Sequence, residues 1–158
     1  MNARLRSVAI IAAVVLIDRI TKLYIRAYVS PMELFPVIPG FFNIVHTENP
    51  GAAFGFMADL DFPWRRALLV AVSVVVMAII GSLLFRVKSN SILQTGLALV
   101  LGGALGNAWD RLTRGMVTDF LQFFFGTYEF PSFNLADSAI TIGAALLLID
   151  LWRTKKPG

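Results

Sequence analysis

ALLVAVSVVVMAIIGSLLF, residues 67–85, runs for 19 positions without a charged side chain. Crossing the ~30 Å hydrocarbon core of a bilayer takes about 20 mainly apolar residues in a helix. The stretch therefore predicts a membrane span, and its neighbours extend the pattern. A second span is expected over 91–111, which opens SILQTGLALVLGGALGNAW; its Gly96, Gly102, Gly103 and Gly106 would let other helices approach closely. Residues 7–28 begin SVAIIAAVVLI behind Arg4 and Arg6, then meet Asp18, Arg19 and Lys22. A basic start and a short apolar core resemble a signal peptide. No small-x-small cleavage site follows and three more apolar segments do, so this reads as a retained helix. The last span is expected over 135–152, ahead of RTKK.

Composition agrees. Of 158 residues 57% are hydrophobic and 15% charged, with a mean hydropathy of +0.72. Soluble domains lie nearer 45–50% and about 25%. The expected fold is an α-helical membrane protein of one domain, 1–158, with four transmembrane helices and a small extracytoplasmic β-rich segment. That segment, about 30–65, is punctuated by Pro31, Pro36, Pro39, Gly40, Pro50 and Gly51 around β-favouring runs such as FFNIVHT. Arg4, Arg6, Arg86, Lys88, Arg153, Lys155 and Lys156 crowd the two tails and the 86–90 loop. The longer 29–66 and 110–134 segments are sparser in cations, which places both termini in the cytoplasm. The net charge of +4 sits at the ends of apolar runs and makes no basic stripe, so a nucleic-acid partner is not expected. The absence of cysteine excludes disulfides and thiolate chemistry, and the single His46 excludes a histidine-cluster metal site.

The polar residues need separate reasons. Gly103, Asn107, Arg111 and Arg114 share one helical face. The arginines read as snorkelling ends reaching for headgroups. Asn107 lies a turn inside the span and calls for a partner or a cavity. Asp18 and Lys22, four apart, read as an intrahelical ion pair bracing the bundle. Asn134 before Leu135-Ala136-Asp137 is an N-cap pattern, with Asp137 favoured by the helix dipole. Asp119, inside TDFLQFFF, has no cap pattern and no cation three or four residues on. Buried in such company it needs water or a polar partner. Asp137 is the candidate, provided the outer ends of the last two helices are neighbours. Two close carboxylates tend to share one proton, and such a pair can activate water against a carbonyl without metal or cofactor. Two rivals stand beside this hydrolase. One is a small polytopic transporter or channel subunit with Asp18, Asp119 and Asp137 as proton or cation sites. The other is a hydrolase that uses the aspartates as Mg²⁺ ligands.

Five short blocks carry a resemblance: DRITK at 18–22, ENPGAAFG at 48–55, GNAWDR at 106–111, GMVTDF at 115–120 and FNLADSAI at 133–140. In order and spacing they resemble the signature blocks of the lipoprotein signal peptidases, or signal peptidase II, over essentially the whole chain. The resemblance implies a bacterial inner-membrane aspartyl endopeptidase with four spans and a β-cradle at the outer face. It implies prolipoprotein substrates cut just before a diacylglyceryl-modified cysteine, contact with membrane lipid, no cofactor and no metal. Asp119 and Asp137 would be the catalytic pair. Asn49, Asn107, Arg111, Asn134, Asp18 and Lys22 would bind substrate or support the pair, orienting the peptide backbone or the carboxylates. A monomer is expected.

Overall fold

The computed structural model describes residues 2–31, 33–51, 64–87 and 92–154. The element order is α1 (Ala3–Tyr28), β1 (Leu34–Ile38), β2 (Phe42–Asn49), α2 (Arg65–Arg86), α3 (Ile92–Arg114), β3 (Val117–Phe125), β4 (Tyr128–Phe133) and α4 (Leu135–Thr154). Four helices thus appear where the apolar runs predict them. Residues 52–63 lie outside the described part, and with them the end of ENPGAAFG and much of the expected outer segment.

Among the described residues, three helices are long and apolar enough to cross a membrane: Arg66–Arg86, Ile92–Arg114 and Leu135–Arg153. The fourth, α1, has 26 residues and is built inside out: Asp18 and Lys22 are buried, while Val8, Leu16, Ile17, Ile20 and Leu23 are exposed. Central to the bundle is α3, which packs against α1, α2 and α4. Its glycines explain how. A Cβ on Gly96 would stand 2.9 Å from the carbonyl oxygen of Gly143 in α4, and one on Gly102 would stand 2.9 Å from Val14 Cβ in α1. A Cβ on Gly103 would collide with the Ala136 carbonyl oxygen, and one on Gly106 would meet the Asp18 carboxylate at 2.7 Å. The small residues let backbones and one buried acid come closer than any side chain allows.

At Gly115 the chain leaves α3. Its φ of 79° suits glycine, and its N–H donates to the Arg111 carbonyl at 3.1 Å, closing the helix and sending the chain directly into β3. The sheet is larger than expected. It has four antiparallel strands in the order β1-β2-β3-β4, and half of it comes from residues 117–133, which the sequence reading left as a connecting segment. The physical signal is the run VTDFLQFFF facing YEFPSF across Gly126, where φ is 65°. Phe123 stacks on Phe42 with ring centroids 4.7 Å apart and on Phe133 at 5.8 Å, so aromatic pairs across three strands stabilise the register. This sheet caps the end of the bundle where α1 and α3 finish and α4 begins.

Candidate active site

Asp119 enters the site from β3, where Thr47 and Asn49 of β2 lie opposite Asp119 and Val117. Alternation along the strand sends Thr118 and Asp119 to opposite faces, and both are covered. Thr118 accepts from Arg26 Nη1 at 3.3 Å and from Arg114 Nη1 at 3.0 Å, and donates to Glu48. Asp119 is 3% exposed. Its Oδ2 accepts from Asn49 Nδ2 at 3.0 Å and its Oδ1 from Asn134 Nδ2 at 2.7 Å. Burial pushes its carboxyl up to about 7, helped by the charge of Asp137; the amides of Asn49 and Asn134 and the Lys22 charge pull the other way.

Asp137 enters from the first turn of α4. Asn134 Oδ1 accepts from the Asp137 N–H at 3.0 Å, and Asp137 Oδ2 accepts from the Asn134 N–H at 3.3 Å. This reciprocal pair is a capping box with an aspartate in the acidic position. Asn134 is fully buried, so a single asparagine starts the helix and touches both carboxylates. Asp137 Oδ1 accepts from Asn107 Nδ2 at 2.8 Å. Asn107 Oδ1 in turn accepts from Lys22 Nζ at 2.9 Å and Asn134 Nδ2 at 3.3 Å. The amide expected to face a partner from inside α3 therefore faces three.

The Asp18–Lys22 pair, at 2.8 Å, is the intrahelical ion pair expected, and it does not act within α1 alone. Asp18 Oδ1 accepts from the Ala136 N–H of α4 at 2.9 Å, and Lys22 Nζ also lies 3.0 Å from Asp110 Oδ2 of α3. The pair ties three helices together directly behind Asp137. Nor does Arg114 reach only for headgroups: its guanidinium holds Glu48 at 2.9 Å and Thr118. Arg111 donates to the Gly51 carbonyl at 3.2 Å, so it pins the Asn49-Pro50-Gly51 turn. Asn49 Oδ1 closes that turn by accepting from the Gly51 N–H at 2.9 Å, which leaves the amide nitrogen for Asp119.

Asp137 also borders two cavities. One of about 280 Å³ lies between β4 and α4, lined by Phe130, Phe133, Asp137, Ser138, Thr141 and Ile142. The other, about 210 Å³, is walled by α2, α3 and α4 and includes Val72, Val76, Asn107 and Arg111. The Asp137 carboxylate thus stands between mostly apolar walls.

A family model described as Signal peptidase (SPase) II matches residues 10–153. The chain belongs to the signal peptidase II family. Its sequence is 42% identical to the lipoprotein signal peptidase of Solibacter usitatus over 156 residues, covering 98% of this chain and 95% of that one. The lipoprotein signal peptidase of Maridesulfovibrio salexigens is 42% identical over 148 residues, covering 92% and 95%. A solved bacterial membrane enzyme superposes with a TM-score of 0.83 at 33% identity, covering 97% of this chain and 93% of that one. As a signal peptidase II the chain is a protease, and its candidate site residues fall into one connected cluster. Asn49, Asn107, Asn134, Asp119 and Asp137 are hydrogen-bonded to one another, Asp18 and Lys22 stand behind them, and Arg111 holds the adjoining turn. Sequence reasoning assigned no role to Asp110, Thr118 or Glu48. Asp110 carried a usable signal, a charge one turn beyond Asn107 in an apolar helix. Thr118 carried none, since its partners come from α1, α3 and β2.

Proposed function

We propose that this chain is an aspartyl endopeptidase that removes the signal peptide from diacylglyceryl-modified prolipoproteins, cutting just before the lipidated cysteine. The observation that carries this reading is the pairing of buried Asp119 with half-buried Asp137, both bonded to Asn134, with apolar cavities beside Asp137. At neutral pH the pair holds one proton between two carboxyl groups, because each charge opposes the other. The ionised partner takes a proton from water as the oxygen attacks the scissile carbonyl, while the protonated partner donates to the carbonyl oxygen. Collapse of the tetrahedral intermediate returns a proton to the leaving amine. The balance needs only water and peptide.

The substrate explains the setting. A lipid-anchored peptide stays at the membrane, so the carboxylates must stand where its scissile bond lies. All four helices cross the bacterial inner membrane in this reading. α1, at about 1.5 Å per residue, is long enough, and its exposed side chains are apolar. Arg4, Arg6, Arg86 and Arg153 lie at the bundle end away from the sheet, which puts both termini in the cytoplasm and the site near the outer face. The same reading takes the protein as a monomer.

A gel-shift assay with a diacylglyceryl-modified prolipoprotein tests the mechanism. Asp119→Asn and Asp137→Asn are each expected to abolish cleavage while the protein still folds, with wild-type turnover undiminished by a chelator. An Asn variant that keeps near-wild-type turnover removes that residue from the chemistry, and chelator sensitivity points to a metal-dependent hydrolase.

A further inference from the structure

Asp110 is 1% exposed in α3 and lines neither cavity beside Asp137. Three cations surround it: Arg19 at 3.3 Å and Arg26 at 3.4 Å from Oδ1, and Lys22 at 3.0 Å from Oδ2. Oδ2 forms no hydrogen bond, so its hold on Lys22 is that of a charge rather than a directed contact. We propose that Asp110 is a positioning residue of the carboxylate pair, acting through Lys22 and Asn107; this rests on the reading of Asp119 and Asp137 as the catalytic pair.

The coupling runs through one ammonium group and one amide. Lys22 is fully buried, and a buried ammonium must have its charge compensated and its N–H groups satisfied. Its neighbours are Asp18 Oδ2 at 2.8 Å, Asn107 Oδ1 at 2.9 Å and Asp110 Oδ2 at 3.0 Å. Asp18 is tied to α4 through the Ala136 N–H, whereas Asp110 sits on the same helix as Asn107, one turn further on. The two acids therefore pull the ammonium from different helices and hold it against the Asn107 oxygen. That contact, the shorter of the two that Asn107 Oδ1 accepts (Asn134 Nδ2 donates at 3.3 Å), holds the amide's orientation. With Lys22 on Oδ1, Nδ2 faces Asp137 Oδ1 at 2.8 Å. With Asp110 neutral, Lys22 is drawn towards Asp18, and the Asn107 oxygen is left with the longer bond from Asn134 as its one restraint against turning on Asp137.

The test is a double-mutant cycle on the full chain, with kcat and KM measured per folded molecule. Asp110→Asn is expected to lower kcat about tenfold and leave KM within about twofold, because it alters an orientation and not a binding wall. In an Asn107→Ala background the same substitution should cost nothing more. Losses that multiply across the two sites, or a kcat for Asp110→Asn equal to wild type, overturn the proposal. If Asp110→Asn fails to fold, Asp110→Glu keeps the charge while moving it by one methylene. Its loss should likewise vanish without Asn107, and a multiplying loss overturns the proposal in the same way. Turnover by Asp137→Asn would sink the catalytic pair itself; a dead Asp137→Asn with a multiplying cycle sinks only the role of Asp110.

Discussion

Asn49→Ala removes one of the two amides that favour the ionised form of Asp119, and its effect can be sized from the site. A hydrogen bond to a charged acceptor contributes about 1.5–3 kcal/mol and one to a neutral acceptor about 1 kcal/mol. Only the difference between them moves a pKa, by about one unit. At 3% exposure Asp119 has little water to take the amide's place. The Asp119 carboxyl, near 7 in the wild type, should therefore rise to about 8 in the variant. If Asp119 holds the shared proton, the alkaline limb of the kcat/KM profile belongs to it and moves up by the same amount. The assay is prolipoprotein cleavage in detergent from pH 6 to 8. The variant should be at least tenfold slower near neutrality, about 1.4 kcal/mol of transition-state stabilisation. Its rate relative to wild type should improve about fivefold from pH 6 to pH 8, since wild-type Asp119 has by then lost its proton. A flat ratio would mean that Asn49 only shapes the turn. If ionised Asp119 is instead the active species, reversing the roles of the two aspartates, the acid limb is the one that moves up, and the wild-type rate rises from pH 6 to 8 where it should fall.

Two further outcomes follow from the packing and the titration. Gly103→Ala drives a methyl into the Ala136 carbonyl, one residue before Asp137, so thermal unfolding should register a loss of about 1–3 kcal/mol together with reduced turnover. Gly81→Ala, with nothing within 4 Å of the added carbon, should leave both measurements near wild type. Because the folded-state pKa of Asp119 lies above its ordinary 3.8, the folded protein holds the extra proton between about pH 4 and 7, and stability falls as the pH rises through that window. The ceiling is about 4 kcal/mol. Asp119→Asn abolishes this dependence, so the difference in Tm between variant and wild type should grow in the variant's favour from pH 5 to pH 8; a constant difference would show that Asp119 titrates at its ordinary value.

The helices and the chemical inventory are legible in the amino-acid sequence alone. Uncharged runs such as 67–85 leave a helix few alternatives, because backbone polar groups must be satisfied within the segment when no water is at hand. The Asn134 cap was legible for a related reason, since capping depends on residues three apart. The five blocks placed the chain in its family before any coordinates. Non-local relations were another matter. VTDFLQFFF is as greasy as a core helix segment, and only its pairing with β2, where Asn43 lies opposite Gln122, and with β4 makes it a strand. Asp18 and Lys22 show the same limit: four apart in sequence they satisfy each other, and nothing local announces that Asp110, Asn107 and Ala136 share them. Tertiary structure decided those partners because a buried charge takes its compensation from whichever groups the packing brings within 3 Å. In this chain the glycines of α3 set that approach, letting α1 and α4 close on the face that carries Asn107.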